Sequence, residues 1–379
     1  MRSLRAANTI MKRRTMLSLL AVLPAAPAFS RESGTLVLGQ SAPSTGPSAQ
    51  LGIQLNRGAR LYFDKINAAG GVNGQKIELR MLDDGYEPPR AKANTEKFLN
   101  DDVFALFGYV GTPTSLAALP LVKDSGIPFF GPFTGAMALR SPALHNVFHV
   151  RASYDDETAL IVTQLNHLGL KKIAVFRQND SYGQAGLDGV TKALKAIDLA
   201  PVAVGTVERN TVKVEDAVKT ICAAQPDAVV QISSYKSCAA FIRTARKAGY
   251  GGQFFNVSFV GTKALSDELS TDALGIVVSQ VMPYPFSPAV PIVRDYRDAV
   301  KAVTDASINY SSLEGYVNAR IFVEGLRRGR ANTREGLANG LESLQHVDFD
   351  GFNLNFGREH AASHFVELSM LTGDGGVRR

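Results

Sequence analysis

Short apolar runs alternate with amphipathic stretches twice along this chain, and that pattern constrains the fold more than any other feature. Segments 35–39, 76–82, 103–108 and 127–131 have strand length and apolar or β-branched content. Between them, 50–68, 90–100 and 115–123 place apolar residues at helical spacing. The stretch Ala68-Ala69-Gly70-Gly71-Val72-Asn73-Gly74 ends the first helix, as Gly and Asn do at helix ends and turns. After residue 150 the rhythm restarts, with strands at 172–176, 202–207, 228–232 and 254–257. The helices between them fall at 156–168, 183–194, 214–224 and 238–248. Strands separated by helices of this length build βαβ units and a parallel sheet. The expected class is therefore α/β, two doubly wound parallel-sheet lobes side by side, with a short boundary at 150–153.

The last third breaks the rhythm. Segments 290–303, 313–327 and 334–344 read as helices, and 353–356 and 364–371 as a strand pair joined by a polar turn. We expect the chain to return to the first lobe and cross again, giving 31–151 plus 284–347 and 152–283 plus 348–379. A chain of 379 residues is long enough for two cores.

Residues 1–30 read as a secretory signal peptide. Arg2, Arg5, Lys12, Arg13 and Arg14 precede an apolar stretch at 16–23 and the small-residue site Ala25-Ala26-Pro27-Ala28. That stretch is shorter than the roughly 20 residues a membrane helix needs. Cleavage is expected near Ala28 or Ser30, placing the protein in the periplasm. Arg13-Arg14-Thr15-Met16-Leu17 fits a twin-arginine signal as well as the general secretory route. Five of the 41 Lys/Arg residues lie in 1–30 and none of the 35 acids does, leaving 36 basic against 35 acidic, or +1. The formal +6 thus implies no nucleic-acid partner. Export permits a disulfide between Cys222 and Cys238, but two separately buried thiols on neighbouring helices are the reading the sequence favours.

Ligands of open α/β sheets bind beyond the carboxyl ends of the strands. The loops there are Ser41–Ser48, Gly108–Ser115 and Gly131–Gly135 in the first lobe, and Asn179–Tyr182, Ser233–Tyr235 and Ser258-Phe259 in the second. Hydroxyls and glycine backbone at a helix start attract anions, and Thr112 stands at such a start. Thr112, Thr114 or Ser115 can also cap that helix, and one hydroxyl can do both.

Gly39–Gly52, Gly70–Gly74, Asp83-Asp84, Gly108–Leu121, Ile127-Pro128, Asn179–Gly183 and Ala248–Gly251 follow one another in a telling order. Over essentially the whole mature chain this order resembles the leucine/isoleucine/valine-binding proteins, type I periplasmic solute-binding proteins of ABC importers. The resemblance implies two lobes joined by three crossovers, closure by hinge motion, a membrane permease as partner and action as a monomer without cofactor. It implies that Thr112 with Gly111, and Phe133-Thr134-Gly135, hold a ligand carboxylate. Tyr182, Tyr235 and Tyr316 resemble cleft-lining tyrosines. Two departures stand out. Ser258 occupies the place of an acid that pairs with the ligand ammonium in the amino-acid binders, and Leu51 replaces a tyrosine. A buried ammonium without an anionic partner is costly. An aromatic or branched acid therefore suits the site, with amino acids still open.

No Gly-x-Ser-x-Gly elbow, P-loop or dinucleotide fingerprint occurs. None of His145, His149, His167, His346, His360 and His364 falls in an expected cleft loop, and no pair has zinc-ligand spacing with cysteine. An enzyme is not expected. The rival is a periplasmic sensor presenting small amides or acids to a receptor.

Overall fold

The computed structural model describes residues 34–304, 306–357 and 360–379, so the expected signal peptide lies outside it. The first lobe begins with β1 (Thr35–Ala42), α1 (Ala49–Ala68), β2 (Lys76–Asp83), α2 (Pro88–Asn100), β3 (Ala105–Phe107), α3 (Thr112–Val122), β4 (Phe129–Phe130) and β5 (Val147–Phe148). Its five strands are parallel in the order β2-β1-β3-β4-β5.

The second lobe runs α4 (Tyr154–His167), β6 (Ile173–Gln178), α5 (Ser181–Lys195), β7 (Ala203–Val207), α6 (Glu215–Ala223), β8 (Ala228–Ile232), α7 (Tyr235–Lys247), β9 (Gln253–Asn256), α8 (Thr262–Leu269) and β10 (Val277–Gln280). Its parallel strands repeat the order, β7-β6-β8-β9-β10. β8 is buried along its whole length, as expected of a parallel strand covered on both faces. A capping box starts α4: Ser153 Oγ accepts from Asp156 N at 3.1 Å, and Asp156 Oδ2 accepts from Ser153 N at 2.9 Å.

The tail comprises α9 (Pro291–Lys301), α10 (Tyr310–Gly329), α11 (Arg334–Glu342), β11 (Val347–Phe349), β12 (Phe352–Leu354), β13 (Glu367–Leu371) and β14 (Val377–Arg378). α10 lies against α1, where a Cβ on Gly58 would stand 1.8 Å from Ser312 O and one on Gly315 2.0 Å from Leu55 O. Only glycine permits that spacing. Phe322 of α10 completes an aromatic cluster with Phe63, Phe107 and Phe130, at centroid distances of 5.4–6.4 Å.

The tail corrects two expectations. Segments 353–356 and 364–371 do not pair with each other: β12 pairs with β11, whereas β13 pairs antiparallel with β10 and with β14. The β11–β12 hairpin turns on Asp350-Gly351, both at positive φ, as a two-residue Asp-Gly hairpin turn requires. Phe352, Leu354, Phe356 and Ala362 join the first lobe's core. The final passage to the second sheet therefore follows Ala362, not residue 347. The chain crosses between lobes after β5, after β10 and before β13. The first and third crossings lie side by side, His149 N donating to His360 O at 2.7 Å and Ala362 N to His149 O at 2.8 Å.

Candidate ligand-binding site between the lobes

Both sheets reverse direction once, between β1 and β3 and between β6 and β8. A ligand crevice forms at the carboxyl ends beside such a reversal, and the two crevices face each other.

From the first lobe, Gly111 precedes α3 at φ 101°, and a Cβ there would stand 2.3 Å from the Tyr86 ring. Glycine is thus required by both dihedral and space. Thr112 caps nothing; its Oγ1 lies 2.7 Å from Thr134 Oγ1. Thr114 instead bonds back to Val110 O at 2.5 Å, as a local helix-start contact. Thr134 Oγ1 reaches the Tyr154 hydroxyl at 3.5 Å and accepts from Ala136 N at 3.2 Å. Gly135 O accepts from Tyr154 N at 2.8 Å, which joins this wall to the start of α4.

The second wall is aromatic and hydroxylic. The Phe259 ring touches Tyr182, Phe133 and Tyr86 at centroid distances of 4.5, 5.6 and 5.8 Å, so it packs against rings from both lobes. Leu51 packs on Gly261, and the Tyr235 hydroxyl faces the Gln50 backbone. Further contacts close the rim. Gln178 Nε2 donates to the Tyr86 hydroxyl at 3.2 Å, Arg209 pairs with Glu87 at 3.0 Å and with Asp180 at 3.2 Å, and Asn210 Nδ2 donates to Glu87 Oε1 at 2.7 Å.

A charged network lies beneath the rings. Arg151 Nη2 donates to Ser258 Oγ at 2.6 Å, its Nε stands 3.2 Å from Glu314 Oε1, and its guanidinium lies 4.3 Å from the Phe133 centroid. Glu157 accepts from Ser258 N at 2.7 Å, Ser258 Oγ at 3.0 Å and Ser279 Oγ at 2.5 Å. Burial pushes the Glu314 carboxyl up to about 7, against the attraction of Arg151. Burial also raises Glu157, but three donors favour its ionised form. The two carboxylates hold the Arg151 guanidinium charged despite its burial. Burial raises the Tyr154 hydroxyl to about 12, so it stays neutral, and it accepts from Thr134 Oγ1.

Thr112, Gly111, Phe133, Thr134, Gly135, Tyr182, Tyr235, Ser258 and Leu51 all lie where the lobes meet. Tyr316 does not. It packs edge-on against Tyr62 and Tyr296 at 5.2 and 5.6 Å inside the first lobe's core, because two steps along a helix place it opposite Glu314. The sequence expectations include Phe259 through the Ser258-Phe259 loop, but not Arg151, Tyr154, Glu157 or Glu314. Arg151 had a signal, a lone cation inside the apolar lobe boundary Val150–Ala152. Glu314, buried within a helix, had none. Cys222 and Cys238 are free thiols on α6 and α7, which corrects the disulfide alternative. Among the described residues no group of His, Cys, Asp and Glu could hold a metal, and no helix is long and apolar enough to cross a membrane.

A 240 Å³ pocket beside Thr112, lined by Ala136, Asp155, Ser181 and Gln184, opens at the cleft edge. A larger groove of 690 Å³ lies away from it on the second lobe, lined by Leu168, Phe255, Val277, Leu368 and Met370. The polar atoms described above converge on the cleft, not on that groove.

A possible leucine/isoleucine/valine-binding protein from Rhodopirellula baltica SH 1 superposes with a TM-score of 0.86 at 36% identity, over 93% of this chain and 97% of that one. Leu/Ile/Val-binding protein homolog 7 of Brucella suis biovar 1 is 27% identical across 93% of this chain and 91% of its own length. A solute-binding protein of an ABC transporter from R. palustris, solved in complex with benzoate, shares the fold at TM-score 0.80 and 20% identity, over 90% and 94% of the chains. Matches to two further curated relatives are partial. They span 64% of an amino acid binding protein of Pseudomonas aeruginosa and 43% of Leu/Ile/Val-binding protein homolog 3 of Brucella melitensis. The periplasmic binding protein model matches residues 35–375. With that match and these neighbours, the chain belongs to the periplasmic binding protein family, as a type I member of the leucine/isoleucine/valine-binding group.

Proposed function

We propose that this chain is the exported, periplasmic substrate-binding component of an ABC importer. In this reading it captures a small carboxylate-bearing solute, an amino acid or an aromatic or aliphatic acid, by hinge closure and hands it to a membrane permease. It performs no chemistry on the solute.

One observation carries the reading. The hydroxyls of Ser115, Tyr182, Ser233 and Ser234 and the Arg151 Nη1 are buried with no hydrogen-bond partner among the described residues. Except for Ser115, which sits in the first turn of α3, they belong to the two strand-end loops of the second lobe and to the first crossing. Buried polar groups are costly unless paired, and a polar solute held at these strand ends would pair them. Thr112, Thr134 and the Gly135 N–H supply the facing donors, while Gly111, whose N–H donates to Phe133 O at 3.2 Å, forms the wall with Leu51, Phe133, Tyr182, Tyr235 and Ser258. The benzoate complex of the same fold supports an acid without an amine as one candidate.

Thermal melting of the mature chain with amino acids, aromatic acids, keto acids and small amides tests this. A ligand at 100 times its Kd should stabilise by about 2.7 kcal/mol through linkage. Stabilisation by small acids is expected; no shift with any small acid or amino acid contradicts the reading.

A further inference from the structure

The cleft contains a charge that its hydroxyls do not explain. Arg151 leaves the end of β5 at the first crossing, and its side chain is 1% exposed. Nη2 donates to Ser258 Oγ; Nε lies 3.2 Å from Glu314 Oε1 as an ion-pair contact without a hydrogen bond, and Nη1 has no partner among the described residues. The neighbouring Tyr182 hydroxyl is likewise buried and unpartnered.

We propose, resting on the capture reading above, that Arg151 is the anion-binding, specificity-determining residue of the cleft. It takes the ligand carboxylate and selects acids that lack an α-ammonium over the matching α-amino acids.

The geometry supports this in three ways. A guanidinium presents coplanar donors that suit a carboxylate, and of the three nitrogens only Nη2 makes a hydrogen bond, leaving Nη1 without any partner among the described residues and Nε with only the Glu314 contact. Of the acids beside it, Glu157 is not free to receive an ammonium, and Glu314 already stands against the guanidinium. Both oxygens of Glu157 are engaged by Ser258 and Ser279, and Glu314 faces Arg151 itself. A second buried cation, Arg140, donates to Arg151 O at 2.9 Å and Ala152 O at 3.2 Å, adding positive potential to the same corner. A ligand ammonium brought to Ser258 would meet the guanidinium already bonded there, and like charges in a buried site repel strongly. An arriving carboxylate instead competes with Glu314 for Arg151. Glu314 can give way by taking a proton, since its burial already holds it near neutrality.

The test titrates matched probes into the mature chain by calorimetry: 4-methyl-2-oxopentanoate against leucine, phenylpyruvate against phenylalanine, and benzoate against benzamide. Wild type should bind the deaminated acid of at least one pair at least tenfold more tightly, and benzamide at least tenfold more weakly than benzoate if benzoate binds. Arg151→Met combined with Glu314→Gln removes the buried charge together with its partner and should weaken acid binding at least 100-fold while the circular dichroism spectrum stays native. If that variant does not fold, Arg151→Lys decides, with at least a fivefold loss expected. Amino acids bound as tightly as their keto acids, benzamide equal to benzoate, or unchanged acid affinity in the folded variant overturns the role of Arg151 and leaves the capture reading intact. Binding of no acid and no amino acid overturns both.

Discussion

Arg151 Nε and Glu314 Oε1 stand 3.2 Å apart with side chains only 1% and 4% exposed, so the first crossing and α10 are joined by a buried ion pair. Breaking such a pair from one side strands a charge, whereas neutralising it by protonation does not.

The acid-side behaviour of the pair follows. Burial lifts Glu314 to about 7, above the ordinary 4.5 of an unfolded carboxyl. Between those values the folded chain holds a proton that the unfolded chain has released. Its contribution to stability is therefore full below about pH 4.5 and is lost as pH rises through 7. Chemical denaturation of Glu314→Gln at pH 5 and pH 8 should show a smaller loss on raising pH than wild type. An identical loss would mean that Glu314 is not the group responding.

Arg209 reaches from the second lobe to Glu87 of the first at 3.0 Å, and Asn210 Nδ2 donates to Gly85 O at 3.0 Å. These are rim contacts, partly exposed, and each such pair is worth about 0.2–1 kcal/mol. Arg209→Ala combined with Asn210→Ala should speed ligand release about three- to tenfold in stopped-flow displacement. The wild-type release rate should rise with salt and the variant's should not.

Tyr316 has a buried hydroxyl without a partner among the described residues and sits in the first lobe's core. Tyr316→Phe should leave ligand affinity unchanged and stability equal or higher by up to about 1 kcal/mol, since an unsatisfied polar group is removed. A tenfold loss of affinity would place this residue back at the cleft.

Cys238 is fully buried, and burial raises its thiol above the ordinary range; Cys222 is half-buried. Maleimide should label Cys222 in the native protein and Cys238 only after unfolding. Reductant should leave the melting temperature unchanged.

What the sequence made legible is the repeated α/β rhythm and the strand-end loops, because both are local. Apolar period and turn residues mark where 228–232 forms a strand or where Gly111 must bend. The Asp350-Gly351 turn was equally local; overlooking it led to pairing 353–356 with 364–371. What stayed hidden is long-range. Ser258 reads as the loss of an acid, yet Glu157, 101 residues earlier in the chain, stands behind it and accepts from both its N and Oγ. Glu314 and Tyr316 are two residues apart on one helix, and only the packing of α10 sends one to the cleft and the other to the core.

The central claim is capture of a small acid by closure on Thr112 and Thr134, and small-angle scattering with parallel calorimetry tests it most directly. With the acid that most raises the melting temperature at saturation, the wild-type radius of gyration should shrink. Thr112→Ala combined with Thr134→Ala should keep its fold, lose at least tenfold in affinity and show no shrinkage at the same concentration. Unchanged affinity in the double variant, or binding to wild type with no change in radius, would contradict the account.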